Sequence, residues 1–129
     1  MKKTGRASQS TLEAKVVDGI ARVEVRGVVT EPASADAVAA AVRTARDAGS
    51  SLILFDIRSL QHPGYHASVL RRADNAAASG IASFRVAILG EAGSDLLAFI
   101  GDVASNRGLR ARCFTDEAAA LRWLRAGGG

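Results

Sequence analysis

Residues 52–56 read Leu52-Ile53-Leu54-Phe55-Asp56, and this stretch decides the fold class. A half-exposed strand alternates apolar and polar residues. A short unbroken apolar run, bounded here by Gly49-Ser50-Ser51 and by an acid, is the pattern of a central strand buried on both faces. Its neighbours in sequence read as helices. On the N-terminal side, Thr30 or Ser34 can cap a helix with Glu31, Pro32 and Asp36 in its first turn. Val38, Ala41, Val42 and Ala45 then share one face, and Gly49 supplies the stop. On the C-terminal side, Tyr65, Val69, Ala73 and Ala76 recur at helical spacing until Gly80, with Arg71, Arg72, Asp74 and Asn75 pointing away.

Further out, Leu12 to Val16 and Ala21 to Arg26 alternate apolar and charged residues, which sets one face on the core and the other in water. Asp18-Gly19 lies between them and suits a type I′ turn, so residues 12–30 are expected to hold an antiparallel hairpin. Phe84 to Leu89 is a second apolar strand. Ser94 can cap a third helix, with Leu96, Leu97, Ile100, Val103 and Ala104 as its apolar stripe and Gly108 as its end. Leu109 to Cys113 returns to strict alternation, the mark of an edge strand. Thr115-Asp116-Glu117 opens a last helix that turns Leu121 and Leu124 inward, with Trp123 beside them and Arg122 and Arg125 near its C-terminus. The order β-β-α-β-α-β-α-β-α predicts an α/β fold: a five-stranded mixed sheet, antiparallel in its N-terminal hairpin and parallel elsewhere, with four helices.

The 129 residues suit one domain with a single core. It is expected over 12–126, after a flexible basic leader at 1–11 and before a glycine tail at 127–129. One cysteine excludes an internal disulfide and a four-cysteine metal site. The longest apolar runs, 52–55 and 96–100, fall far short of the ~20 residues that span a bilayer. The first ten residues lead into Thr11-Leu12-Glu13-Ala14-Lys15 rather than a secretory hydrophobic core, so the expected location is the cytoplasm. Net charge is 17 − 13 = +4, but 14 of the 17 cations are Arg and 26 residues are Ala, a bias that GC-rich coding produces without function. Only Arg107, Arg110 and Arg112 cluster, and aromatics for base stacking are few, so no nucleic-acid partner is expected.

The chain resembles a SpoIIAA-like domain, the fold shared by STAS (anti-sigma-factor antagonist) domains and by small proteins compared with the CRAL-TRIO lipid-binding fold. The resemblance covers about residues 12–126. It rests on the hairpin at 13–27, on residues 52–60, on Arg85 to Gly90 followed by a helix ending Asn106-Arg107-Gly108, and on the closing stretch from Phe114 to Leu124. It implies a bacterial, non-enzymatic regulatory module that binds a protein partner, with no cofactor. In signalling members a phosphorylated serine sits in an Asp-Ser-Ser-Gly-type loop. The matching stretch here, Gln61-His62-Pro63-Gly64-Tyr65-His66, lacks that serine, and Ser59 lies several residues too early. A small apolar ligand or lipid, as in CRAL-TRIO-like proteins, is the alternative.

Ligands of open parallel sheets bind beyond the carboxyl ends of the strands. The expected ligand or partner loop therefore combines Asp56, Ser59, His62, Gly64 and Tyr65 with Gly90, Gly93 and Ser94. His62 and His66 are four apart but have no third metal ligand nearby. Cys113 points inward on its strand, which predicts a buried, inert thiol. Asp56 ends a central strand as the phospho-acceptor of a receiver domain does. The acidic pair that would hold magnesium and the late lysine are absent, so a strand-end cap or a partner for Arg58 is the simpler role. No G-x-S-x-G elbow or triad order is present, and no catalysis is expected.

If successive strands are neighbours, as the resemblance implies, right-handed crossovers put all crossover helices on one face. The other face would then carry Arg22, Glu24 and Arg26 at one side and Arg110 and Arg112 at the other. Between them would run an apolar stripe, to be covered by a second copy, a partner or an apolar ligand. The alternative is that the last helix or the leader folds over it.

Overall fold

The computed structural model describes residues 10–28, 31–61, 80–93 and 110–128. Strands β1 (Ser10–Val17) and β2 (Ile20–Val28) form the expected antiparallel hairpin, in register from Val17↔Ile20 to Ser10↔Gly27. Asp18 and Gly19 have φ of +52° and +77°, the two positive values that a type I′ turn requires and that match the twist of the paired strands. Helix α1 (Glu31–Asp47) follows, then β3 (Leu52–Asp56), β4 (Leu60–Gln61), a 3₁₀ turn (Ile81–Ser83), β5 (Arg85–Leu89), β6 (Arg110–Phe114) and helix α2 (Glu117–Gly128).

The sheet order is β1-β2-β3-β5-β6, with β2, β3, β5 and β6 mutually parallel. This is the expected five-stranded mixed sheet, extended by the two-residue β4, which pairs with β2 beyond the end of β3. Gly27 marks the handover. Its φ of +92° turns the strand from β3 towards β4, and its N–H donates to the Ser59 carbonyl at 3.3 Å. The described residues hold two α-helices; the other two expected helices, 65–79 and 94–108, lie outside them. Helix α1 starts at Glu31, which places Ser34 inside it rather than at its cap.

One face of the sheet is apolar across its width. Ala21, Val23 and Val25 of β2, Ile53 of β3, and Val86 and Ile88 of β5 are buried with Ala37, Ala41, Val42 and Ala45 of α1, and Ile81 and Phe84 close one end. Phe55, Ala111 and Cys113 pack against this cluster while partly buried, so the cysteine points inward as expected but is half-exposed rather than enclosed.

The opposite face corrects the expectation of an uncovered stripe. Ile20, Leu54, Ala87 and Leu89 are buried beneath Ala120 and Leu124 of α2, with Leu52, Phe114, Leu121 and Trp123 around them. The crossover rule binds only helices that join parallel strands. Helix α2 joins no two described strands, so the rule leaves it free to cross to the far face, where burying a side chain such as Leu54 stabilises the fold by roughly 1.5–3 kcal/mol. The sheet needs no outside companion over these residues. The expected arrangement within that face does hold: Arg22, Leu54, Ala87 and Arg112 share one row across β2, β3, β5 and β6.

Candidate functional site

Asp56 ends β3 on the α2 side of the sheet and is 3% exposed. A carboxylate cannot stay charged there without partners, and the chain supplies three kinds. Arg58 meets it as a fork, Nε donating to Oδ1 at 3.0 Å and Nη2 to Oδ2 at 2.9 Å. The Arg58 backbone N–H donates to Oδ1 at 3.2 Å, an Asx turn that bends the chain as it leaves the sheet. Arg22, reaching diagonally from β2, donates from Nη2 to Oδ2 at 2.8 Å. Burial pushes the Asp56 carboxyl up, but the hydrogen bonds and charge of Arg58, followed by Arg22, outweigh it and hold the group below the ordinary carboxylate range. The Arg58 guanidinium is correspondingly raised, first by its bond to Asp56.

Helix α2 enters this network through its first turn. Asp116 caps the helix by accepting from the Ala119 N–H at 3.0 Å. Glu117 then accepts from Nη2 of Arg58 at 3.2 Å and of Arg22 at 3.4 Å. Two guanidiniums and two carboxylates thus balance in charge and clasp the start of α2 to β2 and to the end of β3. Glu24 extends the group outward, 3.9 Å from Arg22 and 2.9 Å from Arg26. Beside the clasp, a half-open cleft of about 200 Å³ runs between the hairpin and α2. Its floor is Ile20, Leu54 and Leu121, and its rim carries Lys15 and Arg125.

The parallel strands bring part of the expected loop together. Leu89 pairs with Asp56, the Ile57 N–H donates to the Leu89 carbonyl at 2.9 Å, and the Gly90 N–H donates to the Phe114 carbonyl at 2.9 Å. Asp56 and Gly90 therefore stand on adjacent strand ends, while Ser59 and Gly93 are exposed in the turns beyond. Gly93 has φ of +78°. His62, Gly64, Tyr65 and Ser94, with His66 and Arg107, lie outside the described residues.

Sequence reading paired Asp56 with Arg58 and missed Arg22 and Glu117, which are 34 and 61 positions away. The register that sets Glu24 opposite Asp56 would have found Arg22, because a residue two places back on the same face is its diagonal neighbour. Chemically the site is a closed ion-pair cluster. Both Asp56 oxygens already accept from guanidinium groups, so this carboxylate is poorly placed to attack phosphorus. Among the described residues no three His, Cys, Asp or Glu side chains group as a metal site would.

No protein-family model matches the sequence, and neither does any curated protein. Among solved structures, the chain is similar to an anti-sigma factor antagonist from Mycobacterium paratuberculosis, with a TM-score of 0.59 and 13% identity over 90% of this chain and 94% of that one. It is also similar to an uncharacterised Shewanella loihica protein of SpoIIAA-like fold, with a TM-score of 0.56 and 21% identity over 89% and 93% of the two chains. The fold is SpoIIAA-like. No helix among the described residues is long and apolar enough to cross a membrane.

Proposed function

We propose that this chain is a non-enzymatic regulatory module of the cytoplasm that acts by binding another protein. The observation that carries the reading is its likeness, over nine-tenths of its length, to an anti-sigma factor antagonist. The chemistry at the strand ends agrees with it, because the buried carboxylate that an enzyme would use is held between two arginines. The partner-facing surface in this reading is the carboxyl edge of the sheet, with Ser59, Gly90 and Gly93 beside Asp56; the sequence adds His62, Gly64, Tyr65 and Ser94, which lie outside the described residues. Since residues 61–66 lack the serine motif of switching STAS domains, partner release would not follow serine phosphorylation at that loop.

Native mass spectrometry of the full chain purified from its own cells tests this. The expected result is a stoichiometric complex with an anti-sigma kinase or another sigma-regulating protein, weakened by Ser59→Arg at the exposed turn. A chain that emerges with a bound lipid and no protein would overturn the reading in favour of a carrier. The cleft between the hairpin and α2, at about 200 Å³, is itself below the ~300 Å³ at which small-molecule pockets usually begin.

A further inference from the structure

Strand β1 forms one border of the sheet, and among the described residues it pairs with β2 alone. Every side chain from Thr11 to Gly19 is exposed, including Leu12 at 40% and Val16 at 46%. Eight residues of edge, with aliphatic side chains exposed beside Glu13 and Lys15, form a template for a strand whose charges match. In a hairpin with a two-residue turn, the pair flanking the turn exchanges hydrogen bonds and the pattern then alternates. Thr11, Glu13, Lys15 and Val17 therefore direct their backbone groups at β2, and Leu12, Ala14 and Val16 direct theirs outward.

We propose that β1 is a homodimerisation edge, pairing antiparallel with β1 of a second copy about a two-fold axis at Ala14. In that register Ala14 faces its own counterpart, Leu12 faces Val16 of the second copy and Val16 faces Leu12. These are the three outward-directed positions, and together they exchange about six backbone hydrogen bonds. Glu13 faces Lys15 of the second copy, and Lys15 faces Glu13. Both are non-hydrogen-bonded pairs, in which cross-strand side chains come closest. The neighbouring symmetric registers are penalised: centring on residue 13 opposes glutamate to glutamate, and centring on residue 15 opposes lysine to lysine. The strand is thus complementary to itself in one register.

The other border behaves differently. Strand β6 carries Arg110 and Arg112 at alternate positions, and a second copy overlapping both would meet arginine with arginine.

Helix α1 lies against β1 and β2 alike. At ~4.8 Å per strand the two α1 helices would therefore stand roughly 10 Å apart across the axis, close to the 8–10 Å at which helices pack, above Leu12 and Val16 of both copies. An interface one strand wide falls at the small end of specific interfaces, so association in the micromolar range is expected rather than a permanent dimer.

Analytical ultracentrifugation of the full chain from low to high micromolar concentration decides the matter. The expected result is a concentration-dependent dimer that weakens with salt. Glu13→Lys or Lys15→Glu alone should weaken it about tenfold or more, and an equimolar mixture of the two variants should form heterodimers, because one strand is then all acidic and the other all basic. Exchanging both residues in one chain should restore self-association. Ala14→Pro, which removes an outward N–H from an edge position where proline is tolerated, should leave the circular dichroism unchanged and abolish the dimer. A wild-type chain that stays monomeric throughout, or a dimer indifferent to the single charge reversals, overturns the proposal.

Discussion

On the α1 side of the sheet, the strands from β2 to β6 present alanine, valine, isoleucine, phenylalanine and cysteine, and the packing is apolar throughout. Under α2, the same strands present an apolar patch of Ile20, Leu54, Ala87 and Leu89 beside a cluster of Arg22, Asp56, Arg58 and Glu117. The first face is held by burial, which is indifferent to pH and screened little by salt. The second is held partly by burial and partly by directional charge pairing, which fixes where the first turn of α2 sits. A helix that bridges no two described strands gains registration from such contacts, and further along its length Arg85 adds to them. The Arg85 guanidinium lies 3.7 Å from the centre of the Trp123 ring and donates from Nε to the Trp123 carbonyl at 3.0 Å.

The difference between the faces should be measurable. Ile53→Ala, at a fully buried position on the aliphatic face, should cost about 4 kcal/mol of unfolding free energy in urea titrations, with the same penalty at pH 3 and pH 7. Asp56→Ala should cost about 3 kcal/mol at neutral pH, because it takes from half-buried Arg22 its shortest ion pair and from Arg58 its fork. This penalty should shrink in acid. In the unfolded chain the carboxyl takes its proton near about pH 3.9, and in the folded protein only at lower pH. The unfolded state therefore binds more protons across that interval, and the wild type loses stability on acidification that the variant has already lost. Parallel losses in wild type and variant from pH 5 to pH 2 would show that the clasp contributes nothing. Asp116→Ala, which removes the cap of α2, should have the smallest effect, about 1 kcal/mol. It should appear first in the fluorescence of Trp123, the only tryptophan, whose ring lies 5.6 Å from that of Phe114.

Much of this architecture was legible residue by residue. The unbroken run at 52–55 marked the central strand, alternation at 21–26 and 110–113 marked strands with one charged face, and Asp18-Gly19 marked the turn. Each signal arises between residues a few positions apart, where backbone geometry dictates the period. Asp56 was legible as an Arg58 partner for the same reason. The clasp as a whole was not, because Arg22 and Glu117 reach Asp56 only after β2 pairs with β3 and α2 folds back. The two-residue β4 carries no period at all and exists because Gly27 redirects β2 towards Leu60.

By itself, then, the sequence determined which segments become strands, where the hairpin turns, and which side of β2 and β6 bears charge, since these follow from side-chain alternation along a single element. Tertiary structure alone decided that α2 covers the far side of the sheet and that Arg22, Arg58 and Glu117 converge on one buried carboxylate. The physical reason is that a helix joining no two of the described strands escapes the handedness rule binding crossover connections, so its place is settled by the apolar patch it buries and the charges it meets there.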